Sequence, residues 1–220
     1  FISENKINIG TNSKILLKKF TKPSTLISLG LLFLIIFCAI FAPILAPTNP
    51  YDLKVVSILD SRLSPGDKML NGTVAWLGTD GAGRDVLSAI IFGLRTSLVV
   101  AISSAVIALI AGLFVGLIAG FYGGKIDAFL MRVVDIQLSF PAILVALVLL
   151  ALLGKGIDKV IIALAIVQWA IYARTVRAAA IVERNKEYIQ AASCLGLSSP
   201  LIIWKHLLPV SYTHLTLPTK

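Results

Sequence analysis

Residues 96–124 read TSLVVAISSAVIALIAGLFVGLIAGFYGG and contain no charged side chain. A helix that crosses a bilayer needs roughly 20 apolar residues, so this run predicts a span at residues 96–120. Small residues recur in it at every fourth position: Ala108, Gly112, Gly116, Gly120 and Gly124. Positions four apart share one helical face, and a face of small residues lets a second helix approach closely. We therefore predict close helix packing at Gly112, Gly116 and Gly120, either within this chain or against another subunit.

The composition extends this conclusion to the whole chain. Of its 220 residues, 57% are hydrophobic and only 14% are charged, whereas an average soluble domain is about 25% charged. We expect an all-α, polytopic helical membrane protein. The net charge of +9 more often orients such a chain in the membrane than binds nucleic acid, so no nucleic-acid partner is predicted. Cys38 and Cys194 are too far apart in sequence to suggest a disulfide framework.

Three further charge-poor runs predict spans at residues 23–47, 136–154 and 158–176. The proline-rich sequence APILAPTNP ends the first of them, and Pro141 lies near the start of the second. The last run reaches spanning length only if its arginines lie at the interface and turn their charges to water. Those arginines are Arg174 and Arg177. A buried or re-entrant helix is the alternative for this run.

The distribution of basic residues predicts the orientation. If the N-terminus is cytoplasmic, the inner segments are residues 1–22, the loop near 121–135 and everything after Ala173. These segments hold most of the 20 lysines and arginines, and an excess of basic residues marks the cytoplasmic side. Residues 48–95 then form an extracytoplasmic segment that is too long for a passive hairpin.

That extracytoplasmic segment ends with WLGTDGAGRDVLS, residues 76–88. Its glycines lack the spacing of a phosphate loop, and no Gly-Lys-Ser/Thr follows them. The sequence therefore favours a tight turn into an interfacial helix. We expect the charged side chains of Asp80, Arg84 and Asp85 to be solvated or paired locally.

The sequence shows no pattern of residues typical of a catalytic site. His206 and His214 have no carboxylate or cysteine at metal-ligand spacing, so no catalytic residue, metal site or cofactor is predicted. No span interior carries the charge that an ion-coupled carrier usually keeps at mid-membrane. The energy source is therefore expected in another polypeptide. Asp135 lies at the membrane edge, in an amphipathic entry to the third span, and a proton-relay role for it is the less favoured interpretation.

The polar segment after the fourth span predicts two short helices outside the membrane. Residues 177–195 favour helix, with Tyr188, Ala191, Ala192 and Leu195 forming an apolar stripe at i, i+3, i+4 and i+7. Gly196 is placed to end this helix in a left-handed conformation. Ser199 and Pro200 then suit an N-cap and a first helical position. Taken alone, this pattern fits a connecting loop and a docking surface equally well.

Residues 190–209, QAASCLGLSSPLIIWKHLLP, resemble the EAA motif of ABC-transporter permeases. In that motif Glu-Ala-Ala precedes Gly by three residues, and nine more residues separate Gly from Ile-x-Leu-Pro. Gln190-Ala191-Ala192, Gly196 and Leu208-Pro209 keep this spacing, with Gln190 in place of Glu and His206 in place of Ile. The sequences WLGTDGAGRDVLS, FYGG, MRVVDIQLSFP and YARTVRA are similar to further signatures of the dipeptide/oligopeptide/nickel class, especially its DppC/OppC-like subunit.

The resemblance implies a MetI-like permease fold with six spans, of which four are present here, in the inner membrane of a prokaryote. It implies half of a translocation pathway for di- or oligopeptides, with nickel as the alternative substrate and no catalysis by the chain itself. The implied partners are a second permease subunit in a heterodimer, two ABC ATPase subunits, an extracytoplasmic substrate-binding protein and the lipid bilayer. A secondary transporter or channel and, more remotely, a membrane enzyme are the competing classes.

The resemblance also assigns an ATPase-coupling role to the loop at residues 180–209. The residues concerned are Glu187, Tyr188, Gln190, Ala191, Ala192, Gly196, Leu197, Ser198, Pro200, His206, Leu208 and Pro209. The permease core would occupy residues 96–209, after a cytoplasmic segment at 1–22 and an N-terminal permease extension around the first span. The sequence begins at Phe1 rather than Met, so an upstream start is expected. Residues 210–220, VSYTHLTLPTK, depart from the family pattern and are expected to be a non-native tail.

Overall fold

A computed structural model of the chain describes residues 22–52, 54–203 and 205. Within these ranges the regular elements are helices, joined by loops with two isolated β-bridges, which confirms the predicted all-α fold class. The chain divides into two compact units, residues 1–99 and residues 100–220.

The first unit begins with helix α1, Pro23–Ile40, and the short helix α2, Ala42–Leu45. Pro23 suits the start of α1, because proline has no amide hydrogen to lose there and its φ angle is already helical. Eighteen residues rise about 27 Å, close to the roughly 30 Å of a bilayer core. Most side chains of α1 are exposed in the chain alone, as expected for a helix whose surroundings are lipid.

The loop that follows α2 is ordered by its own hydrogen bonds. A 3₁₀ turn at Ile58–Asp60 and two antiparallel bridges, Lys68 with Val74 and Thr79 with Asp85, shape it. Buried Asp60 accepts from the amide of Leu70 at 2.9 Å. Its carbonyl also accepts a short bond from the Thr79 hydroxyl. The loop is thus a folded element and not a passive connection.

Asp80 and Arg84 form a local ion pair in this loop, as the sequence predicted, with 2.7 Å between Arg84 Nη2 and Asp80 Oδ2. Partial burial by itself would raise the pKa of Asp80. The backbone and side-chain hydrogen bonds from Arg84, with the backbone bond from Ala82, outweigh that effect and hold the pKa of Asp80 below its ordinary value.

Asp85 initiates helix α3, Val86–Tyr122. Its Oδ2 accepts hydrogen bonds from the amide of Ser88 at 2.8 Å and from the Ser88 hydroxyl at 2.5 Å, which satisfies an otherwise unpaired donor of the first turn. Ser88 in turn accepts from the amide of Thr48 at 3.1 Å. Because of this cap, α3 begins at Val86 and not at residue 96, where the hydropathy alone placed the span.

The second unit contains the rest of α3 and all later helices. Helix α4 is Gly124–Ser139 and helix α5 is Ala142–Leu153, and their axes differ by 89°. Residues 136–154, which the sequence predicted as one span, are therefore divided between the end of α4 and all of α5. Pro141 forces the preceding residue, Phe140, into an extended conformation with ψ 140°, as proline does to its neighbour. Alone, α5 rises only about 18 Å, so α4 and α5 together form a broken span or a re-entrant loop.

Helix α6, Ile157–Arg184, is long and apolar enough to cross a membrane, as are α1 and α3. Helix α7, Glu187–Cys194, follows after two residues, and the short helix α8, Ser199–Ile202, comes next. The stretch 177–195, which the sequence predicted as helical, is thus divided between α6 and α7, because α6 ends at Arg184 and Asn185 is its C-cap. Asparagine is a poor helix former, and here its φ and ψ angles are −83° and 0°.

Candidate docking site beyond helix α6

The glycines of α3 pack directly against α6 within this chain. A Cβ atom built on Gly112 would lie 2.5 Å from Tyr172 Cβ, and one on Gly116 would lie 2.6 Å from the carbonyl oxygen of Ala173. At Gly120 the nearest atom would be Ala180 Cβ, also at 2.6 Å. Real Cβ atoms do not approach so closely, so only glycine permits this contact. The sequence left open whether this face of small residues packs within the chain or against another subunit. In the structure it packs against α6 of the same chain.

The predicted face of small residues ends before Gly124. Ala108 is fully buried, in line with the three glycines. Gly124 begins α4 and has no atom within 4 Å of a built Cβ. Because α3 ends at Tyr122, the four-residue period no longer maps Gly124 onto the same helix.

Two ion pairs join α4 to α6. Arg177 binds Asp127 through Nε and Nη2, with distances of 2.5 and 2.6 Å. Arg174 Nη2 lies 2.6 Å from Asp135 Oδ1. The sequence predicted arginines turned to water, and it missed these carboxylate partners because they lie 39 and 50 residues away.

Helices α7 and α8 are held against α3 and α6 by an apolar cluster. Its buried members are Leu117, Val176, Ala180, Ile189, Ala192 and Ile202, with Leu113, Phe121, Leu197 and Ile203 packed around them. Ile189 and Ile202 are almost fully buried. The segment after α6 therefore packs against α3 and α6 and is not a loose connection.

The opposite side of this segment is exposed. On α7, in the following turn and at the start of α8 the exposed residues include Glu187, Tyr188, Gln190, Ala191, Cys194, Leu195, Gly196, Ser198 and Pro200. Leu195 is 82% exposed. We call this set the exposed α7 face. Of the apolar stripe predicted from helical spacing, only Ala192 faces the core; Ile189, one position after Tyr188, takes the other core position.

Gly196 has a φ angle of +79°, the left-handed conformation that the sequence predicted for the end of this helix. The Leu197 amide then donates to the Ala192 carbonyl at 3.2 Å, as in a Schellman-type helix end. The N-cap of α8 is Ser198 and not Ser199, and it makes no side-chain capping bond. Pro200 lies in the first turn of α8, which accommodates proline.

Glu183 was not singled out from the sequence, yet it is the largest buried charged residue at this site, with 2% exposure. Tyr188 donates a short hydrogen bond to its Oε1 atom, and Lys186 Nζ lies 2.8 Å from Oε2. One feature of the sequence could have identified Glu183. It is a carboxylate in the last turn of a helix, where negative charge is unfavourable, and Lys186 and Tyr188 follow it at i+3 and i+5.

The remaining predicted site residues, His206, Leu208 and Pro209, lie outside the described residues, as do His214 and residues 210–220. Within the described ranges, no three side chains of His, Cys, Asp or Glu are grouped to hold a metal ion. This site is a surface, with an exposed face on one side and apolar packing against two long helices on the other.

Two family profiles match this chain. Residues 112–218 match the profile of the binding-protein-dependent transport system inner membrane component. Residues 19–65 match the N-terminal TM domain of oligopeptide transport permease C. The chain belongs to the family of binding-protein-dependent inner-membrane transport components, in its DppC/OppC-like branch. The first match extends into the segment that the sequence led us to expect as a non-native tail.

Several curated relatives are similar over most of this chain. The di/tripeptide transport system permease protein DppC of Pseudomonas aeruginosa is 40% identical over 183 residues, which are 82% of this chain and 59% of the relative. The dipeptide transport system permease protein DppC of Escherichia coli K12 is 48% identical over 170 residues, 76% of this chain and 55% of the relative. The glutathione transport system permease protein GsiD of Salmonella typhimurium is 39% identical over 184 residues, which are 84% of this chain and 58% of the relative. The chain thus spans somewhat more than half the length of these relatives.

Proposed function

We propose that this chain is a permease subunit of an ATP-driven importer and forms half of a translocation pathway for di- or oligopeptides. The observation that carries the proposal is the exposed α7 face, which is fastened to two candidate spans by the buried cluster around Ile189 and Ile202. A partner that binds this face would be connected through the buried cluster to the membrane-spanning helices.

The ATP-hydrolysing partner would bind at this face. Closure of an ATPase beneath the membrane would move α7, and the contacts of this segment with α3 and α6 would transmit that motion to both helices. Packed helices move as bodies and do not deform continuously, so a rigid-body rocking of the spans is the expected response. The chain itself contributes no catalytic group to this cycle.

Peptide is favoured over nickel as the substrate. The relatives described above are named as permease proteins of di/tripeptide, dipeptide and glutathione transport systems. The complete transporter would contain a second permease in a heterodimer, two ATPase subunits and an extracytoplasmic binding protein. In the prokaryotic inner membrane the N-terminus and the exposed α7 face would be cytoplasmic. The folded loop between α2 and α3 would then face the binding protein.

The test is co-purification of the chain and its partner permease with the cognate ATPase subunits. Leu195→Asp places a charge on the exposed α7 face, and we expect the recovered ATPase to fall roughly tenfold or more, as for a hot-spot residue. Leu59→Asp is the matched control, because Leu59 is equally exposed, at 83% against 82%, but lies in the loop between α2 and α3. ATPase recovery that is unchanged by Leu195→Asp, or reduced equally by both variants, would overturn the proposal.

A further inference from the structure

Glu183 occupies a costly position at the end of α6. It is charged, it is 2% exposed, and it lies in the last turn of a 28-residue helix. Burial of a carboxylate is expensive unless the charge is paired and hydrogen-bonded. The negative end of the helix dipole adds a further penalty at this terminus. The groups that offset these costs therefore define what the residue does.

Those groups all come from beyond the end of α6. Lys186, whose ammonium lies 2.8 Å from Oε2, belongs to the two-residue turn. Tyr188, whose hydroxyl donates to Oε1, is in the first turn of α7. The amide of Lys186 also donates to the Glu183 carbonyl at 3.1 Å. One buried side chain thus joins the last turn of α6 to the first turn of α7 across the Asn185–Lys186 break.

The apolar cluster and this carboxylate constrain α7 in different ways. Apolar contacts such as those of Ile189 are non-directional, so they hold α7 against α6 but resist a change of tilt weakly. Hydrogen bonds depend on the donor–acceptor direction, and bonds to a charged acceptor are the stronger ones. The bonds to Glu183 therefore fix the angle between the two helices at the junction.

We propose that Glu183 is a positioning residue that locks α7 to the end of α6. With the lock intact, a push on the exposed α7 face turns α6; without it, the same push bends the chain at Asn185 and Lys186. This inference rests on the proposed function, since it assigns a transmitting role within the same site. It adds a residue that touches neither the ATPase nor the transported molecule.

Coupling is tested in the complete transporter, reconstituted in proteoliposomes, with a labelled Ala-Ala dipeptide as the probe. Glu183→Gln keeps the shape and one acceptor but removes the charge. We expect it to retain ATPase binding while dipeptide uptake per ATP hydrolysed falls about tenfold, the effect of losing a charged hydrogen bond. Asp158→Asn, at the other end of α6, is the control and leaves this ratio unchanged. An unchanged ratio in Glu183→Gln, or loss of ATPase binding itself, would overturn the positioning role.

The geometry is tested without the ATPase. Spin labels at Val182→Cys and Leu195→Cys, both on exposed positions, report the α6–α7 distance in the full chain after Cys38 and Cys194 are changed to Ser. We expect one narrow distance distribution, which Glu183→Gln broadens and Asp158→Asn does not. A width that Glu183→Gln leaves unchanged would refute the lock. If the wild-type complex fails to bind an ATPase, the proposed function fails, while the distance measurement still decides the role of Glu183.

Discussion

Arg177 binds both carboxylate oxygens of Asp127, at 2.5 and 2.6 Å, and thereby joins α6 to α4. The two side chains are 32% and 17% exposed. The neighbouring pair, Arg174 with Asp135, is equally short at 2.6 Å, but its side chains are 55% and 60% exposed. The same two helices are therefore joined by one partly buried and one exposed arginine–aspartate ion pair.

Asp127→Asn is expected to destabilise the protein by about 2 kcal/mol, because a bidentate, charge-assisted bond in a half-buried site is lost. Asp135→Asn is the matched control and should cost less than about 1 kcal/mol, since exposed ion pairs contribute little. Thermal unfolding in detergent, followed by circular dichroism, measures both values. Exchange of the two charges, Asp127→Arg with Arg177→Asp, should restore part of the loss. Equal costs for the two asparagine variants would show that burial does not set the strength of these pairs.

Gly116→Ala should destabilise the α3–α6 contact by roughly 2 kcal/mol, because the new methyl group overpacks the interface. The methyl would lie 2.6 Å from the Ala173 carbonyl oxygen. Gly93→Ala, on the same helix, is expected to stabilise by up to about 1 kcal/mol, since its methyl meets no atom within 4 Å and alanine favours helix. The unfolding temperatures of the two variants should move in opposite directions. A neutral or stabilising Gly116→Ala would mean that the two helices are not in close contact.

Gly196→Val should weaken recovery of the ATPase subunits, whereas Gly196→Asn should leave most of it. The φ angle of +79° at this residue costs an ordinary side chain about 1–2 kcal/mol. Asparagine tolerates that conformation and a β-branched residue does not. A Cβ would meet no atom within 4 Å, so the difference between the two variants reports backbone conformation and not a clash. Equal recovery with valine and asparagine would contradict this account.

Asp80→Asn should loosen the loop before α3 at neutral pH but not in acid. The pKa of Asp80 is lowered in the folded chain from its ordinary value of 3.8. Its contribution to stability is therefore present above that value and is lost as the pH falls through the lowered pKa. Hydrogen exchange of the Ala82 and Arg84 amides, corrected for intrinsic rates, should be faster in Asp80→Asn than in wild type at pH 7. The two proteins should converge below the lowered pKa; a difference that persists there would assign the protection to another group.

Native Cys194 provides a test of orientation, because it is an exposed free thiol on α7. In a chain with Cys38→Ser, a membrane-impermeant maleimide should label Cys194 in inverted membrane vesicles and not in intact spheroplasts. A cysteine introduced at Leu59, with Cys194→Ser, should show the reverse pattern. Labelling of Cys194 from the outside would invert the predicted topology.

Much of the fold follows from local sequence properties. The absence of charge over residues 96–124, the proline at residue 23 and the glycine at residue 196 each act on their own neighbourhood, so helix α3, the start of α1 and the left-handed turn were predictable. The break at Pro141 belongs to the same class of signal. Hydropathy nevertheless predicts one span over residues 136–154, because it does not record the direction of a helix axis.

The candidate site was predictable in part. The spacing of Gln190-Ala191-Ala192 and Gly196 located the segment, since a sequence motif is local by definition. Helical periodicity within that segment did not identify which residues face the core. The core position went to Ile189 because α7 is a separate helix whose rotation is set by contacts with Leu117, Val176 and Ile202.

Composition and short-range pattern were therefore sufficient to define a helical membrane protein, its long apolar helices and the position of the polar segment after α6. The choice of helix partner at Gly112, Gly116 and Gly120 and the ion pairs of Arg174 and Arg177 emerged only from the folded chain. The physical reason is that apolar burial and chain stiffness act along neighbouring residues, whereas the ion-pair partners are 39 and 50 residues apart. Such partners, and the angle at which consecutive helices meet, are selected by the packing of the whole unit.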